Sequence, residues 1–179
     1  MDTEKLDTKN LIRFLMGKIR KSVMGILCVG EQYLFIKRQN FLRVFPGYTS
    51  FPGGKVESDD DSSSLKKLKS FPSNLISCLQ RELLEEVSFD LFAALDNNDV
   101  VEVINIGSVV TPDFNPVRFE NFYFLIILKE KPILEFDGNE ISSSSWESID
   151  SIFNRFENNE ILIVPPMKKL LEGMRSNRE

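Results

Sequence analysis

The chain contains no histidine. That absence removes Ser-His-Asp and Cys-His catalysis and every His-containing metal site. Cysteine is nearly absent as well: Cys28 and Cys78 are the only two, too few for a zinc site. Each lies in an apolar pattern, so buried free thiols are expected rather than a disulfide, which fits a reducing cytoplasm. No apolar run approaches the roughly 20 residues that a membrane span needs, so no stable membrane insertion is expected. Positive charge is in deficit, with 22 Lys and Arg against 27 Asp and Glu for a net charge of −5. Nucleic-acid-binding surfaces are usually basic, so no nucleic-acid partner is expected. The opening Met1-Asp2-Thr3-Glu4-Lys5 does not read as a secretory signal, and the closing Ser176-Asn177-Arg178-Glu179 does not read as a peroxisomal address. A cytoplasmic location is the expectation.

What is present fits a globular protein. With 179 residues, 42% hydrophobic and 27% charged, residues 1–179 are expected to form one domain large enough for a sizeable core. Leu6 to Arg20 reads as a basic amphipathic helix, so residues 1–21 are expected to be a helical extension. It would pack on the domain or on a dimer mate, leaving a homodimer open, or lie on a membrane surface. Ser22 to Val29 and Gln32 to Arg38, joined by Gly30-Glu31, read as a hairpin. A Pro- and Gly-rich loop then leads to a short strand at Thr49 to Phe51. Asp59 to Ser70 is polar and reads as a solvated loop, with a substrate lid as the alternative. Asp59, Asp60 and Asp61 could bind cations, but such a run is usually just solvated.

A helix is expected from Ser73 or Asn74, as N-cap, to about Val87. Val100 to Val110 and Phe119 to Leu128 read as strands. Ile149 to Phe156 and Met167 to Met174 read as helices.

The chemistry concentrates in two stretches, Phe51-Pro52-Gly53-Gly54-Lys55-Val56-Glu57 and Arg81-Glu82-Leu83-Leu84-Glu85-Glu86-Val87-Ser88-Phe89. On a helix at about 100° per residue, Leu75, Leu79 and Leu83 share one arc, and Glu86 falls between Leu75 and Leu79. Glu82 lies roughly 40° from Glu86, whereas Arg81 and Glu85 point further round. Two carboxylates at the rim of a buried face repel each other and lose hydration, so they need a cation or hydrogen-bond donors. Mg²⁺ suits them: it is a hard ion that takes carboxylate oxygens and keeps waters and substrate phosphates as its other ligands.

These two stretches resemble the box of the Nudix family, which runs Gly, five residues, Glu, seven residues, then Arg-Glu-apolar-any-Glu-Glu-any-Gly-apolar. Arg81 to Phe89 matches except that Ser88 replaces the final Gly. Gly54 matches the first half, the family's Glu position falls on Asp60, and Arg81 follows Gly54 by 27 positions where the family has 14. An insertion of about 13 residues, within about 58–72, therefore splits the box.

The resemblance implies a Nudix α/β/α sandwich, a mixed sheet between helices, and hydrolysis of a phosphoanhydride with Mg²⁺ or Mn²⁺. It implies Gly54, Glu82, Glu85 and Glu86 as metal ligands, Glu85 and Glu86 also in catalysis, and Arg81 anchoring the box by pairing with an acidic side chain. Gly53 is a candidate substrate contact. Glu140, before Ile141 and Trp146-Glu147, is a candidate metal ligand or base, or an ordinary surface Glu.

Leu34, Arg38, Arg43, Gly47 and Phe51-Pro52-Gly53-Gly54 also match the spacing of the coenzyme A diphosphatase branch, while Phe35, Ile36 and Gln39 depart from it. On that resemblance Arg38 and Arg43 would face a phosphate, as guanidinium geometry suits, or else be surface arginines. Thr111-Pro112 followed by Pro116-Val117-Arg118-Phe119 makes Arg118 and Phe119 candidate substrate contacts, with a salt-bridged Arg and a core Phe as the alternative. The implied partner is a small-molecule nucleoside diphosphate derivative: coenzyme A or acyl-CoA first, a nucleotide sugar or dinucleotide second. A nucleotide sensor without hydrolysis is the rival of another class.

Overall fold

A computed structural model describes residues 19–60, 68, 70–111 and 118–176. Among the described residues seven strands form one sheet: β1 (Arg20–Val29), β2 (Gln32–Arg38), β3 (Thr49–Ser50), β4 (Gly53–Lys55), β5 (Val100–Val110), β6 (Phe119–Leu128) and β7 (Ile141–Glu147). The main path runs β3-β2-β1-β6-β5, with β4 on β1 and β7 on β2. β1 and β6 are parallel and every other pairing is antiparallel.

Alternation along the strands feeds two cores. Val23, Leu27, Leu34, Ile36, Phe124 and Ile126 point to one face, and Ile26, Cys28, Tyr33, Phe35 and Tyr123 to the other. Period-two patterning with both faces buried requires helices on both sides. On the first face lie α1 (Ser73–Val87) and the short α2 (Leu91–Asp96); on the second lie α3 (Ile149–Glu157) and α4 (Pro165–Ser176). This is the expected α/β/α sandwich around a mixed sheet. Cys28 and Cys78 are buried free thiols. Among the described residues no helix is long and apolar enough to cross a membrane.

Helix α1 places the site. Leu75, Ile76, Leu79, Leu83 and Val87 are all buried, each contributing about 1.5–3 kcal/mol. Together they outweigh the several kcal/mol that a buried acidic side chain costs.

The helix does not begin as expected. Pro72 occupies the cap position and makes no side-chain cap hydrogen bond; its carbonyl accepts from the N–H groups of Leu75 and Ile76. At the other end Ser88 is left-handed, at φ 53 and ψ 32, so it bears the strain that glycine would avoid. Ser88→Gly is expected to raise stability by about 1 kcal/mol, a gain of about 2–4 °C in Tm. A thermal melt with Tm unchanged or lowered would refute this.

Several boundaries differ from the sequence reading. β1 begins at Arg20, paired with Phe119, so the strand takes the last residue of the expected N-terminal helix; residues 6–18 of that helix lie outside the described residues. In the expected insertion, 61–67 and 69 also lie outside them, but Asp60 is buried rather than solvated. Gly53–Lys55 is a strand, not a turn alone. α2 was not anticipated, although Asp90 caps it by accepting from the Ala93 N–H. α4 starts at two prolines, which the first helical turn tolerates.

Candidate active site

The acidic half of α1 presses against the glycine turn. Gly53 pairs with Met24 across β4 and β1 and has φ +144; a Cβ there would lie 2.1 Å from the Val23 carbonyl oxygen. Its N–H donates to Glu86 Oε2 at 2.7 Å. At Gly54 a Cβ would stand 2.3 Å from Glu82 Oε1. Gly53 has no room for a side chain, and one at Gly54 would push the Glu82 carboxylate aside, so both carboxylates lie directly on the turn.

Burial dominates their chemistry. Glu86 is 5% exposed. Burial pushes its carboxyl up to about 8; the Gly53 N–H opposes the shift, and the charges of Glu82 and Glu140 add to it. Glu82 is raised too, by burial first, with Arg81 opposing and Glu85 and Glu140 adding. Glu82, Glu86 and Glu140 are thus near enough for their charges to act on one another.

Arg81 ties the split box together. Nε donates to Asp60 Oδ1 at 3.0 Å and Nη2 to Asp60 Oδ2 at 3.1 Å. Nη1 reaches Glu82 Oε1 at 2.8 Å and Glu85 Oε2 at 3.2 Å, and Nη2 the Lys55 carbonyl at 3.1 Å. Asp60 also accepts from the Glu57 N–H at 2.7 Å. Burial alone would raise the Asp60 carboxyl, but Arg81 and the Glu57 N–H hold it below the ordinary carboxylate value.

A cavity of about 370 Å³ opens beside these groups. Its polar end is lined by Arg38, Gly53, Gly54, Lys55, Glu82, Glu86 and Glu140, and its apolar part by Met24, Phe45, Phe119, Tyr123, Pro166 and Met167, among others. Glu140 stands on the loop before β7. That loop is fixed to α1 by the Asp137 N–H donating to the Glu86 carbonyl, and to the residue after β2 by the Gln39 N–H donating to the Glu140 carbonyl.

Thus Arg38, Gly53, Gly54, Glu82, Glu86, Phe119 and Glu140 come together, with Arg81 beside them. Glu85 is 60% exposed and turned toward Arg81. Arg43 is exposed and outside the cavity wall. Arg118 is half-buried and also outside it, its Nε donating to the Thr111 carbonyl at 3.4 Å. Sequence reasoning missed Ser22, Asn121 and Tyr123 on the cavity wall. The one available signal was Asn121, a polar residue inside the aromatic run Phe119-Glu120-Asn121-Phe122-Tyr123-Phe124.

The donor set suits a hard divalent ion. Three mutually repelling carboxylates and a backbone carbonyl at Gly54 offer only oxygen, the preference of Mg²⁺ and Mn²⁺. Among the described residues no three acidic or thiol side chains stand close enough together to hold a metal ion; Arg81 holds Glu82 and the Gly53 N–H holds Glu86.

The profile of the NUDIX domain matches residues 18–170. Among solved structures, a NUDIX hydrolase from Alicyclobacillus acidocaldarius is similar at 20% identity and TM-score 0.69, over 88% of this chain and 91% of that one. A MutT protein from Methanosarcina mazei Go1 is similar at 18% identity and TM-score 0.62, over 90% and 96%. The NUDIX domain of Shewanella oneidensis NrtR, in complex with ADP ribose, is similar at 14% identity and TM-score 0.63, over 99% and 100%. At these identities the likeness to solved structures is one of fold. No curated protein matches the chain.

Proposed function

The chain belongs to the Nudix family of pyrophosphohydrolases, and from that premise we propose that it cleaves the phosphoanhydride of a nucleoside diphosphate derivative, coenzyme A or acyl-CoA first among them. The products would be 3′,5′-ADP and (acyl-)4′-phosphopantetheine. The observation that carries the reading is Glu86, buried on the Gly53 N–H and lining a cavity with Glu82 and Glu140. A protein that only bound nucleotide would have no need of so repulsive a cluster.

Glu82 and Glu86 would hold Mg²⁺ or Mn²⁺, with the Gly54 carbonyl and Glu140 assisting and Glu85 contributing from the exposed side. A divalent ion there supplies Lewis-acid polarisation of the diphosphate and activation of water. The chain's own residues do the rest. Arg38 and Lys55 on the cavity wall bring positive charge to the phosphates, which otherwise face an acidic site. Arg81 orients Glu82 and Glu85 rather than touching substrate. Glu140, on the loop clamped by Gln39, would act as ligand or general base. Arg43 and Arg118 would reach substrate only beyond the cavity wall.

The coenzyme A assignment draws on the spacing of Arg38, Gly47 and Phe51 to Gly54 and on Arg38 at the wall. A second reading, an ADP-ribose-type or other nucleotide-linked diphosphate, draws on the ADP ribose held by the NrtR domain. A substrate panel with Mg²⁺ separates them: coenzyme A, acetyl-CoA, ADP-ribose, a UDP-sugar and a dinucleoside polyphosphate, with products resolved by chromatography. Coenzyme A is expected to give the highest kcat/KM. Turnover of ADP-ribose without coenzyme A would move the assignment to the second reading, and bound nucleotide with no turnover of any diphosphate would make the protein a sensor.

A further inference from the structure

Two polar side chains sit on the cavity wall where strand alternation would otherwise supply apolar ones. Ser22 and Asn121 are register partners on the parallel strands β1 and β6, and both are buried. Ser22 Oγ donates to Asn121 Oδ1 at 2.7 Å, and Asn121 Nδ2 donates to the Val109 carbonyl at 3.2 Å. A carbonyl can only accept, so Val109 determines which end of the amide is nitrogen, and Ser22 secures the oxygen. The amide is therefore locked against turning over. One N–H of Nδ2 and one lone pair of Oδ1 remain for another partner, on a group that lines the cavity. The carboxylate chemistry at Glu82 and Glu86 uses neither.

The surroundings suit a flat ring. Met24 and Tyr123 form the adjacent row of the same sheet face, and Phe45 and Phe119 add aromatic wall. Lys55 in β4 and Asn121 in β6 flank Ser22 on either side, which puts them two strands, about 10 Å, apart. A sugar fits between a diphosphate at the glycine turn and a ring at Asn121.

We propose that Asn121, oriented by Ser22 and Val109, reads the nucleobase of the substrate, and that the edge it takes is an amino donor next to a ring-nitrogen acceptor, as in adenine. The inference rests on the hydrolase reading for the position of the diphosphate. A trans secondary amide points its N–H and C=O to opposite sides and meets half of the pair, whereas a base edge meets both. A bidentate Asn–adenine contact discriminates by about tenfold.

Equilibrium binding of AMP, IMP and ribose 5-phosphate to the full chain tests this without turnover. Wild type is expected to bind AMP about tenfold more tightly than IMP, in which a carbonyl acceptor replaces the amino donor. Asn121→Leu, nearly isosteric, should bring the AMP:IMP ratio to about one and leave ribose 5-phosphate binding within about twofold. Ser22→Ala frees one end of the amide and should lower the ratio part of the way; it decides the question if Asn121→Leu does not fold. A wild-type ratio near one, or a ratio unchanged in the folded variants, overturns the assignment. Failure of the hydrolase reading is distinguishable: a protein that cleaves no diphosphate yet shows an Asn121-dependent preference for AMP keeps this inference and loses the other.

Discussion

Glu86→Gln is expected to lower kcat by about 10²–10³-fold while leaving the fold intact. The glutamine carbonyl can still accept from the Gly53 N–H, so the contact at 2.7 Å between α1 and β4 is retained. What is lost is the charge. In the metal-free protein that charge is a burden, since burial pushes the Glu86 carboxyl up to about 8. The substitution removes a buried ionisable group and should leave Tm unchanged or higher. Rate and stability therefore move in opposite directions, which a general packing defect would not do. Steady-state kinetics with Mg²⁺, a thermal melt and Mn²⁺ titration together check the prediction. A variant with wild-type kcat would remove Glu86 from the mechanism and with it the observation on which the proposed function stands.

Asp60→Ala is expected to destabilise the protein by about 2–3 kcal/mol, below the 3–5 of a fully buried pair because Arg81 is partly exposed. That corresponds to a fall of about 4–12 °C in Tm for a chain of this size. Asp60 is 4% exposed and accepts two hydrogen bonds from Arg81 and one from the Glu57 N–H. Without it the guanidinium loses its anchor, and Glu82 and Glu85 lose their orienting partner, so activity should fall as well. Its neighbour Asp59 is exposed, and Asp59→Ala should stay within about 0.5 kcal/mol of wild type.

The pH dependence has a definite sign. The folded Asp60 carboxyl is held below its ordinary value, so its contribution is fully present above about pH 4 and is lost as pH falls through the lower folded value. The stability gap between wild type and Asp60→Ala should therefore narrow in acid. A gap constant from neutral pH to pH 2 would mean that the ionised pair is not its source.

What could be read from the residues alone followed from periodicity. Glu86 among leucines at helical spacing announced a buried carboxylate, and the hydrophobic runs at Val100 to Val110 and Phe119 to Leu128 marked their strands to the residue. β7 had no such pattern. Ser142 to Ser145 carries no apolar alternation, and the strand forms because β2 offers a paired edge from Tyr33 to Arg38. Asp60 was hidden inside an acidic run that reads as solvated, and its burial is made tolerable by Arg81, 21 positions away, together with the Glu57 N–H. Arg43 fell at a suggestive spacing, but the loop after β2 turns it outward while Arg38 Nε holds the Val44 carbonyl at 3.3 Å. The Ser22–Asn121 bond joins positions 99 apart. It depends on the parallel register of β1 and β6, which no local pattern encodes.

The bridge from Arg81 to Asp60 joins the two halves of the box through space rather than along the backbone. The grip on Glu82 and Glu85 is therefore set by side-chain contacts and not by how far apart the two halves stand in the sequence. The spacing of a motif along the chain and the spacing of its side chains are thus separate quantities, and only the second sets the chemistry.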